Sequence, residues 1–292
     1  MKEFKGVFYA LLATLFFTTM SSMVKVLGQD YSSFQTMLFR NAVAMVILVP
    51  FILKVGIRET FASSRYDLHM ARGLLGFATM IMWFYAYSNG VLVDIITIGY
   101  SGILFTTIFA VIFLHERIGR QRVIAILVGF LGVFFMVKPE GNMADPSALV
   151  ALAASINMGI VTVFLKKLTR IDRAFTLLCV FTLLSTVLSI PLAAFVWQPM
   201  PLDDVMLGIA VGITGLLGQI FIIMAYKHAK AIHVAPMGYV SLIYGGIIGF
   251  FFFNELPDEW SLLGALIIIG ATAYINWREY QLGKAAKIKE SP

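Results

Sequence analysis

Long apolar runs joined by short polar stretches fill this chain. Ten can be marked, at about 6–27, 33–53, 68–88, 93–114, 121–138, 147–168, 174–197, 206–226, 231–253 and 260–280. Each is near the ~20 residues that a helix needs to cross ~30 Å of hydrocarbon. The joints leave no room for a soluble domain. Backbone polar groups in lipid must be satisfied within the segment, so the pattern predicts an all-α integral membrane protein of ten transmembrane helices.

The pattern also repeats. Moved forward by 139, residues 72–116 fall without a gap on 211–255. Gly73, Gly76, Ile81, Ala86, Tyr87, Gly99, Tyr100, Ile108, Phe113 and Glu116 then meet Gly212, Gly215, Ile220, Ala225, Tyr226, Gly238, Tyr239, Ile247, Phe252 and Glu255. Residues 1–141 and 142–292 therefore read as two five-helix repeats. An odd number of helices per half places equivalent positions on opposite membrane faces, so the repeat is inverted. Two inverted halves are the usual frame of a secondary transporter, with the substrate site between them.

Charge sets the orientation. Lys54, Arg58 and Arg65, then Arg117, Arg120 and Arg122, then Lys166, Lys167, Arg170 and Arg173, then Lys227 and Lys230 occupy alternate joints. The termini join them through Lys2, Lys5, Arg278, Lys284, Lys287 and Lys289, while the opposite joints hold Asp30, Asp94, Glu140, Asp145, Asp203, Asp204, Glu255, Asp258 and Glu259. The positive-inside rule predicts both termini in the cytoplasm and an inner or plasma membrane location. This asymmetry accounts for the net charge of +6, and no basic cluster on a soluble module suggests nucleic acid. Trp260 and Trp277 bracket the last run, about 25 Å apart along a helix, as two interfacial belts require.

Enzyme chemistry finds little support. His115-Glu116 begins a zinc-protease pattern, but Gly119 stands where the second histidine belongs. No P-loop or dinucleotide-binding glycine pattern occurs, so neither cofactor nor metal is expected. A lipid-modifying enzyme would need His, Asp or Cys converging at one depth, and the chain lacks them. A non-transporting sensor is the other alternative, which robust substrate flux would exclude. The chain has no signature of a coupling ion and is compatible with a homodimer.

Two cations inside apolar runs carry the sharper signal. Arg40 lies well within the second and Lys25 near the outer end of the first. A cation at the bilayer centre costs at least ~2.5–3.5 kcal/mol, so each should face protein or a wet cavity. Lys25 either binds substrate or snorkels to headgroups. For Arg40, bonds to backbone carbonyls compete with binding a substrate anion. Trp83, Tyr87, Tyr100, Gln219, Tyr239 and Tyr244 are the aromatic and amide candidates for lining a pocket, with interhelical hydrogen bonding as the competing role. Recurrent glycines, including Gly212, Gly215 and Gly218, suit close helix packing.

Two segments resemble the signature of the EamA family in the drug/metabolite transporter superfamily. One is Phe113-Leu114-His115-Glu116-Arg117-Ile118 with Gly129 and Gly132; the other is Phe252-Phe253-Asn254-Glu255-Leu256 with Gly264 and Gly270. Lys25 and Phe39-Arg40 match basic positions usual in that family, whereas Ile103 and Leu242 stand where proline is common. The resemblance implies ten helices, a central cavity, a small organic substrate and transport by alternating access. Within the family, Arg72-Gly73-Leu74-Leu75, Trp83, Leu104-Phe105-Thr106, Gln121-Arg122, Gly129-Phe130 and Lys138-Pro139 look similar to bacterial S-adenosylmethionine uptake carriers. An amino-acid or other metabolite exporter fits the same resemblance.

Overall fold

Apolar runs this long become helices because no other conformation satisfies their backbone without strand partners. The computed structural model describes residues 2–114, 119–137, 145–169, 171–228, 237–238 and 240–290. Its helices are Lys2–Leu27 (α1), Ser33–Val55 (α2), Ile57–Thr60 (α3, a single turn), Tyr66–Asn89 (α4), Leu92–Leu114 (α5) and Arg120–Val137 (α6). They continue with Pro146–Leu168 (α7), Ala174–Phe195 (α8), Leu202–His228 (α9), Val240–Phe253 (α10) and Glu259–Glu290 (α11). Every regular element among the described residues is helical, and six of these helices are long and apolar enough to cross a membrane.

Boundaries follow local chemistry. Ser32 caps α2 by accepting from Gln35 N, and Asp145 caps α7 with Pro146 as the first helical residue. Asp258 accepts from Ser261 N at 2.8 Å and starts α11. That helix runs past the apolar run through Gly283 to Glu290, since the Lys, Ala and Glu residues of the tail are good helix formers. At the end of α10, Asn254 takes a positive φ of 52°, a conformation asparagine tolerates better than most residues. The chain folds back there, and Glu255 N donates to the Gly249 carbonyl at 2.9 Å.

Packing partners exchange between the halves. α1 lies along α9 as α4 lies along α7; α2 packs on α9 as α4 packs on α8; α6 pairs with α11. Gly212, Gly215 and Gly218 on α9 face Val43, Met20 and Phe17 of α2 and α1, so these glycines do pack helices closely. One end of the molecule gathers the C-termini of α1, α4, α8 and α10 with the N-termini of α2, α5, α9 and α11. Contacts of Lys25 with Glu255, Tyr31 with Asp204, Gln35 with Gln198 and Asp94 with Ser261 fix that grouping. It holds Asp30, Asp94, Asp203, Asp204, Glu255, Asp258 and Glu259. The opposite, basic end carries Lys54, Arg58, Arg65, Arg120 and Arg173.

Candidate functional site

Lys25 stands in the last turn of α1, and burial leaves it only 6% exposed. Its ammonium forms an ion pair with Glu255 and donates to the Gly90 carbonyl. The Glu255 carboxylate also accepts from Leu92 N at 3.0 Å, and the Phe253 ring lies 5.1 Å from the ammonium. The positive φ at Asn254 is what brings this carboxylate under the end of α10. One buried charge pair thus ties α1, α10 and the α4–α5 turn together at the acidic end. Lys25 does not snorkel, and its charge is already matched.

Arg40 is different. It is 7% exposed, and Nη1 donates to Asn41 Oδ1 at 2.9 Å and lies 3.9 Å from Met80 Sδ. Nε has no partner, and no backbone carbonyl of a described residue accepts from the guanidinium. No carboxylate among the described residues lies within ion-pair distance of it. Gly215 on α9 stands beside Nε; a Cβ there would lie 3.2 Å from it and 2.8 Å from Met20 Sδ.

Met80, which touches Arg40, shares a face of α4 with Trp83 and Tyr87, at i, i+3 and i+7. Trp83 and Tyr87 stack with centroids 5.6 Å apart and planes 20° from parallel. Tyr100 of α5 packs in the same apolar group, and its hydroxyl is 2.8 Å from Ser241 Oγ of α10. The structure therefore brings Arg40, Trp83, Tyr87 and Tyr100 into one neighbourhood along α4. Gln219 on α9 and Tyr244 on α10 are half-buried, without hydrogen bonds to described residues. Tyr239 lies outside the described residues, as do His115, Glu116 and His233.

Sequence reading missed a third buried cation, Arg72, as a candidate in its own right. It is 8% exposed, donates to the Leu177 carbonyl at 3.3 Å and lies 5.0 Å from the Phe181 ring of α8. Its position inside the third apolar run was the available signal. At the basic end, buried His69 and Ser63 both bond Asp172 Oδ2, each at 2.7 Å. This joins the start of α4 to the α7–α8 joint. Under the 139-residue shift Asp172 falls on position 33 and His69 on 208, beside Tyr31 and Asp204, which bond at 2.6 Å at the other end. The Tyr31 phenol is pushed up to about 12 by that hydrogen bond, burial and the nearby carboxylate charges, so it stays a donor at physiological pH. Both ties lie within a closely packed helix pair, α4 with α7 or α1 with α9.

Asp172→Asn should weaken the basic-end tie, because it removes the charge from two charge-assisted bonds while a buried imidazole remains. The expected loss is about 1.5–3 kcal/mol of stability. Thermal unfolding of the purified protein reads it; an unchanged midpoint would mean that the cluster contributes nothing.

Two clefts lie elsewhere. One of about 280 Å³ lies between α6 and α11, lined by Gln121, Ala125, Gly270 and Tyr274 among others. The second, about 290 Å³, opens at the acidic end between Tyr31, Phe34, Ile81 and Tyr85. Neither reaches Arg40. No group of three or more potential metal ligands occurs among the described residues.

Comparisons with known proteins agree with this architecture. An S-adenosylmethionine uptake transporter of Rickettsia bellii is 33% identical over 274 residues, covering 94% of each chain. The pseudopaline exporter CntI of Pseudomonas aeruginosa is 28% identical, covering 91% of this chain and 94% of its own. A riboflavin transporter of Vibrio cholerae is 27% identical over 93% of both. A solved crystal structure superimposes with a TM-score of 0.63, covering 95% of this chain and 98% of that one; at 16% identity it speaks for the fold alone. A model of the EamA-like transporter family matches residues 4–138 and again 145–277, and the chain belongs to that family of drug/metabolite carriers.

Proposed function

We propose that this protein is a secondary carrier that moves a small organic metabolite across a bacterial inner membrane by alternating access. The observation that carries the reading is the buried Lys25–Glu255 pair, which closes the acidic end across three helical elements above Arg40 and the α4 aromatic stack. A static packing element has no need of a charge pair there, since replacing such a pair by apolar side chains is often neutral or stabilising. A carrier does, because an ion pair can be exchanged for hydration when that end opens. The two family matches and the exchanged packing partners support ten spanning helices in two inverted five-helix repeats, residues 1–141 and 142–292. The charge asymmetry supports cytoplasmic termini with the acidic end outside.

For the cargo, S-adenosylmethionine uptake is the finer reading, supported by the likeness to carriers of that name along nearly the whole chain. Export of an amino acid or another metabolite is the second reading, favoured by the likeness to a pseudopaline exporter. Trp83, Tyr87, Tyr100, Gln219, Tyr239 and Tyr244 are assigned to the wall of the substrate path, while Lys25 acts at the closure. Purified protein in liposomes, offered a metabolite mixture containing S-adenosylmethionine and amino acids, should accumulate one compound saturably. Mass spectrometry reads the contents, and imposed ion gradients then identify coupling. No accumulation by folded, correctly inserted protein under any gradient would sink the carrier reading.

A further inference from the structure

We infer that the free edge of the Arg40 guanidinium, Nε with Nη2, is the subsite for a carboxylate group on the transported molecule. The inference rests on the carrier reading above and adds the chemistry that the cargo must have.

Arg40 is buried and fully occupied on one side only. Nη1 spends its protons on Asn41 Oδ1 and on the sulfur of Met80, a weak acceptor. Nε is buried with no partner, and Nη2 bonds to no described residue. A cation taken out of water is tolerated when an opposite charge or several good acceptors meet it. Here an amide oxygen and a thioether are all the described residues supply. The missing partner is anionic, and α9 comes so close at Gly215 that any Cβ there would press on Nε and on Met20, so only a glycine stands beside that edge.

The geometry favours carboxylate over phosphate. Nε–H and one Nη2–H form a planar fork that matches two carboxylate oxygens. A phosphate dianion calls for further cations. Lys25 is committed to Glu255 and Gly90, and Arg72 is held against Leu177 and Phe181 on α8. From Met80, beside Arg40, the α4 face rises about 10 Å to Tyr87 at 1.5 Å per residue, passing the Trp83–Tyr87 stack. The cargo is therefore a carboxylate with an apolar or planar part about that far from its charged end.

The experiment uses matched probes: S-adenosylmethionine against its decarboxylated form, and phenylalanine against phenethylamine. Each is offered to protein in liposomes, and each is tested separately for thermal stabilisation of the detergent-purified protein, with chloride and sulfate as inorganic controls. The expected result is saturable uptake of a carboxylate-bearing probe, with its decarboxylated partner roughly a hundredfold poorer in kcat/KM. Arg40→Gln should bring that ratio toward one by raising KM for the carboxylate probe, and Arg40→Lys should fall between. Equal uptake of both members of a transported pair by wild-type protein overturns the subsite and leaves the carrier reading intact. Stabilisation by a carboxylate probe that its partner and the inorganic ions do not give, without uptake, supports the subsite and overturns the carrier reading. Stabilisation by chloride or sulfate as strong as by any carboxylate reduces Arg40 to an inorganic-anion site and overturns the inference. Neither uptake nor stabilisation by any probe overturns both. The wild-type comparison of paired probes holds even where a variant fails to fold.

Discussion

Replacing Lys25 by methionine is expected to open the acidic end and lower stability by about 3–5 kcal/mol, because Glu255 is then left partly buried without its cation. Glu255→Gln should act similarly, since the ammonium then meets only neutral partners, the amide oxygen, the Gly90 carbonyl and the face of Phe253. The double change, Lys25→Met with Glu255→Leu, removes both charges and should recover most of the loss, which is the sign of a direct pair in a double-mutant cycle. The same interaction biases the conformational equilibrium, because it exists only while α1, α10 and the α4–α5 turn meet. At 1.4 kcal/mol per tenfold, losing even 3 kcal/mol shifts that equilibrium by about two orders of magnitude. Ser21 lies one helical turn below Lys25 and is buried, so a cysteine placed there in a Cys179→Ser background reports the closure. An impermeant maleimide should label it slowly with the pair intact, quickly in Lys25→Met, and slowly again in the double variant. Equal labelling rates in all three would show that the pair does not hold the end shut.

How far these features could be read from sequence depends on whether they are local. The helices were legible because apolar runs of this length allow only one backbone solution, and six of them are long and apolar enough to cross a membrane. The proposed repeat rests on glycines and tyrosines that match at a constant offset. Arg40 and Lys25 stood out as cations in apolar surroundings, yet their roles separate only in three dimensions. Lys25 meets Glu255 across 230 positions of chain, a pairing set by the packing of α1 on α10 and by the reversed backbone at Asn254. Arg40 keeps an unpaired Nε with only Gly215 of α9 beside it, a meeting of two helices that no local pattern announces. The bond of His69 to Asp172 has no local signature, because it depends on the α4–α7 packing. Arg72 sat in plain view inside a span, and only the contact with Phe181 and Leu177 on α8 distinguishes it from Arg40.

Gly159→Ala should be a damaging single-methyl change in the bundle, and it tests how α5 and α7 are joined. A Cβ at Gly159 would lie 2.9 Å from the Phe105 carbonyl carbon, the Phe105 Cβ and the Thr106 nitrogen. Two of those three atoms are backbone of α5, which cannot turn aside as a side chain would. One turn earlier on α7, Ser155 Oγ donates to the Ile98 carbonyl at 3.1 Å, so both ends of this contact fix the helices at close range. Adding the methyl group forces the helices apart along a stretch that includes Tyr100. Overpacking of this kind costs about 1–3 kcal/mol. The better helix propensity of alanine offsets at most about 1 kcal/mol. Gly270 on α11 is the matching control, because a Cβ there meets nothing within 4 Å, so Gly270→Ala should leave stability unchanged or raise it slightly. Melting both variants side by side in one detergent separates the two effects. A Gly159→Ala protein that melts with Gly270→Ala, at or above the wild type, would mean that α5 and α7 yield to each other and that the close approach does not set the position of the aromatic wall.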